Sequence, residues 1–502
     1  MTRRNRAVHC VLLMIASASL LPSSAARAAG GDVKELRKRL DEVEDRLDKV
    51  EKKTLLDRIA LSAEYRTVVN AFHYRGPSPN AWDLVDPSNP LVRNTIKSTT
   101  EEVWSHRLRL KMKAEPISSL RLTARLVFYK HFGDGDSPPF IQDFAAARTP
   151  RDSAVRFDQL WIDWFIVKWL AISVGRIAYA EGNPNELRLN STIRRATWGL
   201  HMVDGEYETA NLTVNLSSLI EGFYIRGFYA SWFNDNDDDP FGGFPFLTNG
   251  TNNLRIFGGN IDFTIPKIGK NFIQIGYYIV PRFRPFVIPI PDPGFNPADD
   301  YTHAPAPLNN SQLFPSEMPD SLGTYQNVSA LIEFYNLAGS GIDLFVAGAI
   351  GLLKPNGKGI SYELPLPGAA TPAQRQSTPF LFLASQGDSG TTYFLYAGAR
   401  YTIPLSFKPK IGFEFNYGSR YHISFAMPND QLLAKLATRG KAFETYLIVP
   451  INKYIYLRAT HLYIDNDYQT GFFGPNPAFA GTTAPTFDQR IHNFQLVLDV
   501  SI

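Results

Sequence analysis

In SHRLRLKMKAE (105–115), Arg107, Arg109, Lys111 and Lys113 alternate with Leu108, Leu110, Met112 and Ala114. A period of two places the two sets on opposite faces of one strand. Arg121 and Arg125 repeat the basic phase in the next segment, against Leu120, Leu122, Ala124 and Leu126. Six cations on adjacent strands, with no nucleophile or base among them, suit no covalent chemistry; they suit attraction of anions. Asp163, Asp262, Glu333, Glu414 and Glu444 fall in the matching phase of other segments. If the segments surround a lumen, these carboxylates face the basic wall from other parts of the circumference. The expected result is a transverse field, screened by salt over about 8 Å at physiological strength, and a mild anion preference.

Soluble sheets show the same alternation with the charged face in water, so the elements that position these residues must decide. The N-terminal basic run MTRRNR, the apolar run VLLMIASASLL and the small-x-small site at Ala26–Ala28 read as a secretory signal peptide over residues 1–28. Its four arginines turn a formal charge of +3 into −1 on removal, so the basic balance points to no nucleic acid. The sole cysteine, Cys10, lies in this leader, which leaves the mature chain without disulfide or thiol chemistry.

Residues 29–57 follow as a helix. Val33, Leu36, Leu40, Val43, Leu47 and Val50 are spaced three, four, three, four, three, with charged residues between them. That is a coiled-coil seam, narrower than the stripe a globular helix buries. Leu at a and Val at d (Leu40/Val43, Leu47/Val50) departs from the dimer pattern and leads to an expected homotrimer with this helix in the periplasm.

From residue 58 to 502 the alternation persists. Sixteen strands are expected near 59–72, 102–115, 120–132, 155–166, 170–178, 201–215, 218–232, 254–265, 271–283, 323–336, 341–353, 391–404, 410–424, 440–450, 454–466 and 488–502. Short turns (PISS, VKW, PKIGK, LAGSG, PLSFKP, PINK) alternate with long loops. An even strand count with that short–long order is the pattern of a transmembrane barrel, which must also close because backbone groups in lipid need partners. The fold class is therefore all-β: a sixteen-stranded antiparallel transmembrane barrel behind a short coiled coil. Trp104, Trp164, Trp232, Tyr277 and Phe443 are candidates for its interfacial girdles.

Other constellations carry less. In NDNDDDP (234–240), Pro240 stands where a calcium loop needs Gly and Phe246 where it needs Glu, so an EF-hand fails. The histidines lack metal-ligand spacing, and no Ser/His/Asp set is selected; no enzyme, metal or cofactor is expected. The Pro-rich stretch 281–308 reads as an outer loop without regular pairing.

The architecture resembles the sixteen-stranded general and substrate-selective porins of bacterial outer membranes. GFEFNYGSRY (412–421), KLATRG (435–440) and VGRIAYAEGNPNE (174–186) are similar to an uncharacterised family of bacterial outer-membrane proteins, a domain family of unknown function. The resemblance implies an outer-membrane barrel and transfers no functional residues. The chain departs from many barrels in ending on Ile502 instead of an aromatic.

Porins resembling this chain fold an early loop into the lumen. Here the loop after the fifth strand (180–201) carries Glu181, Glu186, Arg188, Arg194 and Arg195, enough for a constriction of both signs. A position outside the barrel is equally open. Sixteen strands are too many for side chains alone to fill. The expectation is passive or selective diffusion of small hydrophilic solutes, with outer-membrane lipid and lipopolysaccharide as surroundings. A scaffold barrel, or the sheath of an electron conduit holding periplasmic cytochromes, is the alternative.

Overall fold

Alternation becomes sixteen long strands in the computed structural model: β1 (Ile59–Pro77), β2 (Thr95–Ile117), β3 (Leu120–His131), β4 (Val155–Val167), β5 (Leu170–Tyr179), β6 (Val203–Asn215), β7 (Tyr224–Ser231), β8 (Arg255–Phe263), β9 (Lys270–Phe283), β10 (Gly323–Tyr335), β11 (Ile342–Pro355), β12 (Thr391–Thr402), β13 (Lys410–Gly418), β14 (Gly440–Pro450), β15 (Ile455–Tyr468) and β16 (Thr486–Ser501). Each pairs with its sequence neighbours, and β1 pairs with β16 from Glu64↔Ser501 to Arg75↔Arg490, which closes the ring. The structure describes residues 38–40, 42–43, 58–77, 95–131, 155–179, 187–190, 203–231, 255–266, 269–283, 290–291, 312–313, 315–317, 321, 323–356, 359–365, 375–381, 390–426, 433, 435–468 and 486–502.

Seven connections of two to eight residues alternate with eight of 17 to 39. All long loops leave one end of the barrel and all short turns the other, which is the outer and periplasmic arrangement of an outer-membrane barrel. The outward phase is apolar and exposed, as at Leu110, Ile162, Leu212, Ile275, Val346, Phe413 and Leu496. A continuous apolar band of this kind is costly in water and suited to lipid. Trp104, Trp164 and Tyr277 are exposed on it. Phe443 is half-buried against Phe415 and Phe413, and Trp232 lies outside the described residues.

Residues 1–60 and 61–502 form two separate units. In the first, residues 38–40 and 42–43 are helical, with Leu40 and Val43 exposed. The signal peptide and the remainder of the expected seam lie outside the described residues.

Three expectations need correction. β7 begins at Tyr224, because Leu216–Phe223 close a turn through Leu219 N→Leu216 O (2.9 Å) and Phe223 N→Ile220 O (3.0 Å). β13 ends at Gly418 and not at residue 424, because the chain turns inward there; a Cβ on Gly418 would lie 2.2 Å from Thr438 O. The loops are also not wholly irregular. Ile290–Pro291 pairs with Gln312–Leu313 within reach of the Pro-rich stretch, and Pro315–Glu317, Gly359–Pro365 and Arg375–Leu381 form a small antiparallel sheet.

Candidate functional site

The inward face near β1–β4 carries the arginines of the opening stretch. Arg107 and Arg109 are buried, as are Arg125 on β3 and Arg66 on β1. Each sits in the inward phase for the reason that Leu108 and Leu110 sit outward: period two on a strand between lipid and a polar interior. The arginines are bound locally. Arg66 reaches Asp499 at 2.7 Å across the closing seam, and Glu64 takes Arg66 at 3.2 Å and also Arg107. Arg125 grips both oxygens of Asp158 through Nε (3.0 and 2.8 Å) and Nη2 (2.6 Å), and meets Glu206 at 3.1 Å.

The basic ladder fades toward the short-turn end. Lys111 is half-buried with its Nζ 5.8 Å from the Trp161 ring centre, and Lys113 is exposed. Arg121 pairs with Glu115 at 2.7 Å with both side chains well exposed.

Across the ring, two segments leave the wall and enter the interior. The first is Leu187–Asn190, from the loop after β5. Arg400 on β12 donates to Leu187 O at 2.6 Å, and Arg458 on β15 to Arg188 O at 2.8 Å. Lys410 on β13 donates to Asn190 Oδ1 at 2.6 Å, and Arg188 reaches Glu444 on β14 at 3.5 Å. Four wall strands therefore hold three of the segment's four residues. Of the constriction-loop candidates, Arg188 is placed inside; Glu181, Glu186, Arg194 and Arg195 lie outside the described residues.

The second comprises the described residues 419–426, 433 and 435–439. His422 stacks on Phe394 with ring centres 4.7 Å apart, and Tyr325 donates to Ile423 O at 3.5 Å. Phe425–Ala426 then pairs parallel with Val203–Asp204 of β6, seven strands from β13 and nearly opposite it. The chain thus spans the long-loop end of the barrel from β13 to β6. On the return, Leu433 caps an inward apolar cluster of Ala442, Leu462, Ile464 and Ile491. Lys435 then bonds both Glu414 and Glu444, 5.1 Å from the Tyr396 ring centre. Asn416 donates to Lys435 O at 2.9 Å, Tyr396 to Glu414 at 2.6 Å, and Arg439 to His422 O at 2.9 Å.

The remaining carboxylates are served on their own strands or on neighbouring ones. Asp262 bonds Arg226 of β7 and accepts from Asn260 and Gln274 at 2.6 Å. Asp163 accepts from Ser173 at 2.6 Å and Trp161 at 3.2 Å, and Glu333 from Tyr335 at 2.5 Å. Among the described residues, nine basic and nine acidic side chains are buried. Most of these charges have an opposite charge close by, since low dielectric makes an uncompensated wall costly, and this pairing weakens the transverse field expected from the ladder alone.

Several partners escape a reading of the sequence alone. Glu64, Arg66 and Asp499 share the inward phase of end strands, a visible signal with no clue to their pairing. Asp158 carries no such signal. Counted from Asp163 it belongs outward, but a register shift opposite Arg125/Leu126 turns both Asp158 and Gln159 inward. Arg400 and Arg458 follow the inward phase as well, while Lys435 lies on a segment that no periodicity places inside.

The inward segments differ electrostatically. Burial opposes the charge on Arg188, but the carboxylates of Glu444 and Glu414 outweigh it and raise its pKa above the ordinary value. Burial pushes His422 down to about 4 against the bond its Nε2 donates to Leu436 O, and holds Arg439 at about 10.

Solved structures to which the chain is similar include OprB of Pseudomonas putida, at 13% identity over 90% of this chain and 96% of that one, with a TM-score of 0.45. An anion-selective porin from Comamonas acidovorans is 10% identical over 88% and 99%, with a TM-score of 0.43. OmpF of Salmonella typhi, in complex with daunomycin, is 10% identical over 88% and 97%, with a TM-score of 0.40. None of the curated proteins matches. A family model described as "Protein of unknown function (DUF3373)" matches residues 97–478, and the chain belongs to that family.

Proposed function

We propose that this barrel is an outer-membrane channel for small hydrophilic solutes, constricted by Leu187–Asn190. The observation that carries the reading is the pinning of that segment to β12–β15 inside a sixteen-stranded polar wall. A wall of sixteen strands needs no such device for stability, whereas a diffusion path needs a narrow point to discriminate. Arg107, Arg109, Lys111, Lys113, Arg121, Arg125, Asp163, Asp262, Glu333, Glu414 and Glu444 line the route in this proposal. Their local pairing leaves only a weak preference between ions of opposite sign.

A second reading, a scaffold barrel or conduit sheath, draws support from the reach of residues 419–426 from β13 to β6. The two readings separate in planar bilayers. The channel reading expects stepwise conductance from the purified full chain, and a folded but silent barrel sinks it. We also propose three protomers joined through the N-terminal helices, which would make insertions arrive as triplets of equal steps. Single steps would refute the trimer alone.

A further inference from the structure

One cavity has an excess of cations among the side chains that line it. It is a partly open space of about 190 Å³ at the short-turn end, among β1–β3, β15, β16, the tip Leu189–Asn190 and the turn Asn452–Tyr454. Arg66, Arg107, Arg109, Arg125 and Lys453 line it, against only two carboxylates, Glu64 and Asp499. Arg66, Arg107 and Arg125 each hold a carboxylate closely, as described above. Arg109 does not. Its Nε stands 4.0 Å from Asp158, whose two oxygens already accept from Arg125. Its side chain is 7% exposed, and its Nε and Nη2 are buried without a hydrogen-bond partner.

A guanidinium cannot shed its proton to escape this situation, and buried charged donors left unmade are expensive. An anion entering beside Arg109 would supply the missing acceptor once the side chain shifts to uncover Nε and Nη2, which lie out of reach of solvent. Nε and one Nη form the planar fork that matches two oxygens of a single carboxylate or phosphate. Room for on the order of six waters suits an acid of a few carbons better than a peptide or oligosaccharide.

We propose that this cavity binds a small solute through an oxyanion, carboxylate or phosphate, gripped by Arg109 and drawn in by Lys453 at the exposed turn. Its status as a solute in transit rests on the channel reading; the site itself does not. Calorimetric titration of the full chain in detergent at low salt, with sodium succinate and separately sodium phosphate, tests it. At least one probe binds. Arg109→Gln weakens that binding by at least about tenfold and Lys453→Gln weakens it severalfold, while Arg490→Gln, exposed at the long-loop end beside Asp465 and Asp488, leaves it unchanged. No binding of either probe at millimolar concentration overturns the site, as does equal affinity in Arg109→Gln and the wild type. Should Arg109→Gln fail to fold, Lys453→Gln decides, and unchanged affinity there overturns the proposal. A silent barrel that binds a probe through Arg109 ends the channel reading and keeps the site. A conducting barrel that binds neither keeps the channel and loses the site.

Discussion

Leu187–Asn190 and the described parts of the 419–439 connection (419–426, 433 and 435–439) both leave the wall, yet they are held in opposite ways. At the first, the wall donates: Arg400, Arg458 and Lys410 bond two carbonyls and one side-chain amide of the segment. At the second, the segment brings the cation, and Lys435 meets Glu414 and Glu444 of the wall. The first attachment depends little on segment side chains and rests largely on arginines that stay charged at any ordinary pH. The second depends on one ammonium group and on a buried imidazole. The two meet at Glu444, which takes both Arg188 and Lys435.

The largest effect should therefore come from Glu444→Gln. It leaves two buried cations short of a partner, a loss of about 3 kcal/mol or more. Limited trypsin digestion of the folded barrel should then cut after Arg188, Lys435 or Arg439, on the order of a hundred times faster than in the wild type. Cleavage after the 419–439 basic residues alone would show that the first segment holds without Glu444, which sharpens the contrast.

Acid should divide the segments next. His422 titrates near 6.5 when undocked and at about 4 when docked. Docking keeps its full stability above pH 6.5. As pH falls from 6.5 to 4 the undocked form gains a proton that the docked form refuses, so docking weakens by roughly 3 kcal/mol and changes no further below. Hydrogen exchange should show protection of residues 421–426 and 435–439 falling over that window while 187–190 stay protected. His422→Gln should flatten the dependence. Equal loss in both segments would break the comparison.

The smallest effect is expected at Arg121→Gln. Its pair with Glu115 is 39% and 52% exposed, so the change should move stability by less than about 1 kcal/mol. A large shift in the denaturation midpoint would mean that the exposed end of the ladder matters as much as the buried end.

Two of the three stretches that carried the family resemblance build this interior. GFEFNYGSRY supplies Glu414 and Asn416, and KLATRG supplies Lys435 and Arg439. Their importance was visible as a pattern and their role was not, since the segment around Lys435 has neither helical nor strand period.

What the chain's residues determined alone is local. Period-two alternation set sixteen strands and the inward phase of Arg107, Arg109 and Arg125, and the order of short and long connections set the barrel. Those properties are carried by neighbours along one strand, where the backbone's pleat dictates the face. Partner choice belongs to the tertiary structure. Arg66 meets Asp499 only because the ring closes across 433 residues, and Asp158 turns inward only because a bulge breaks its own strand's count. Lys435 enters the interior only because Glu414 and Glu444, on strands paired side by side, offer a buried ammonium group two carboxylates at once.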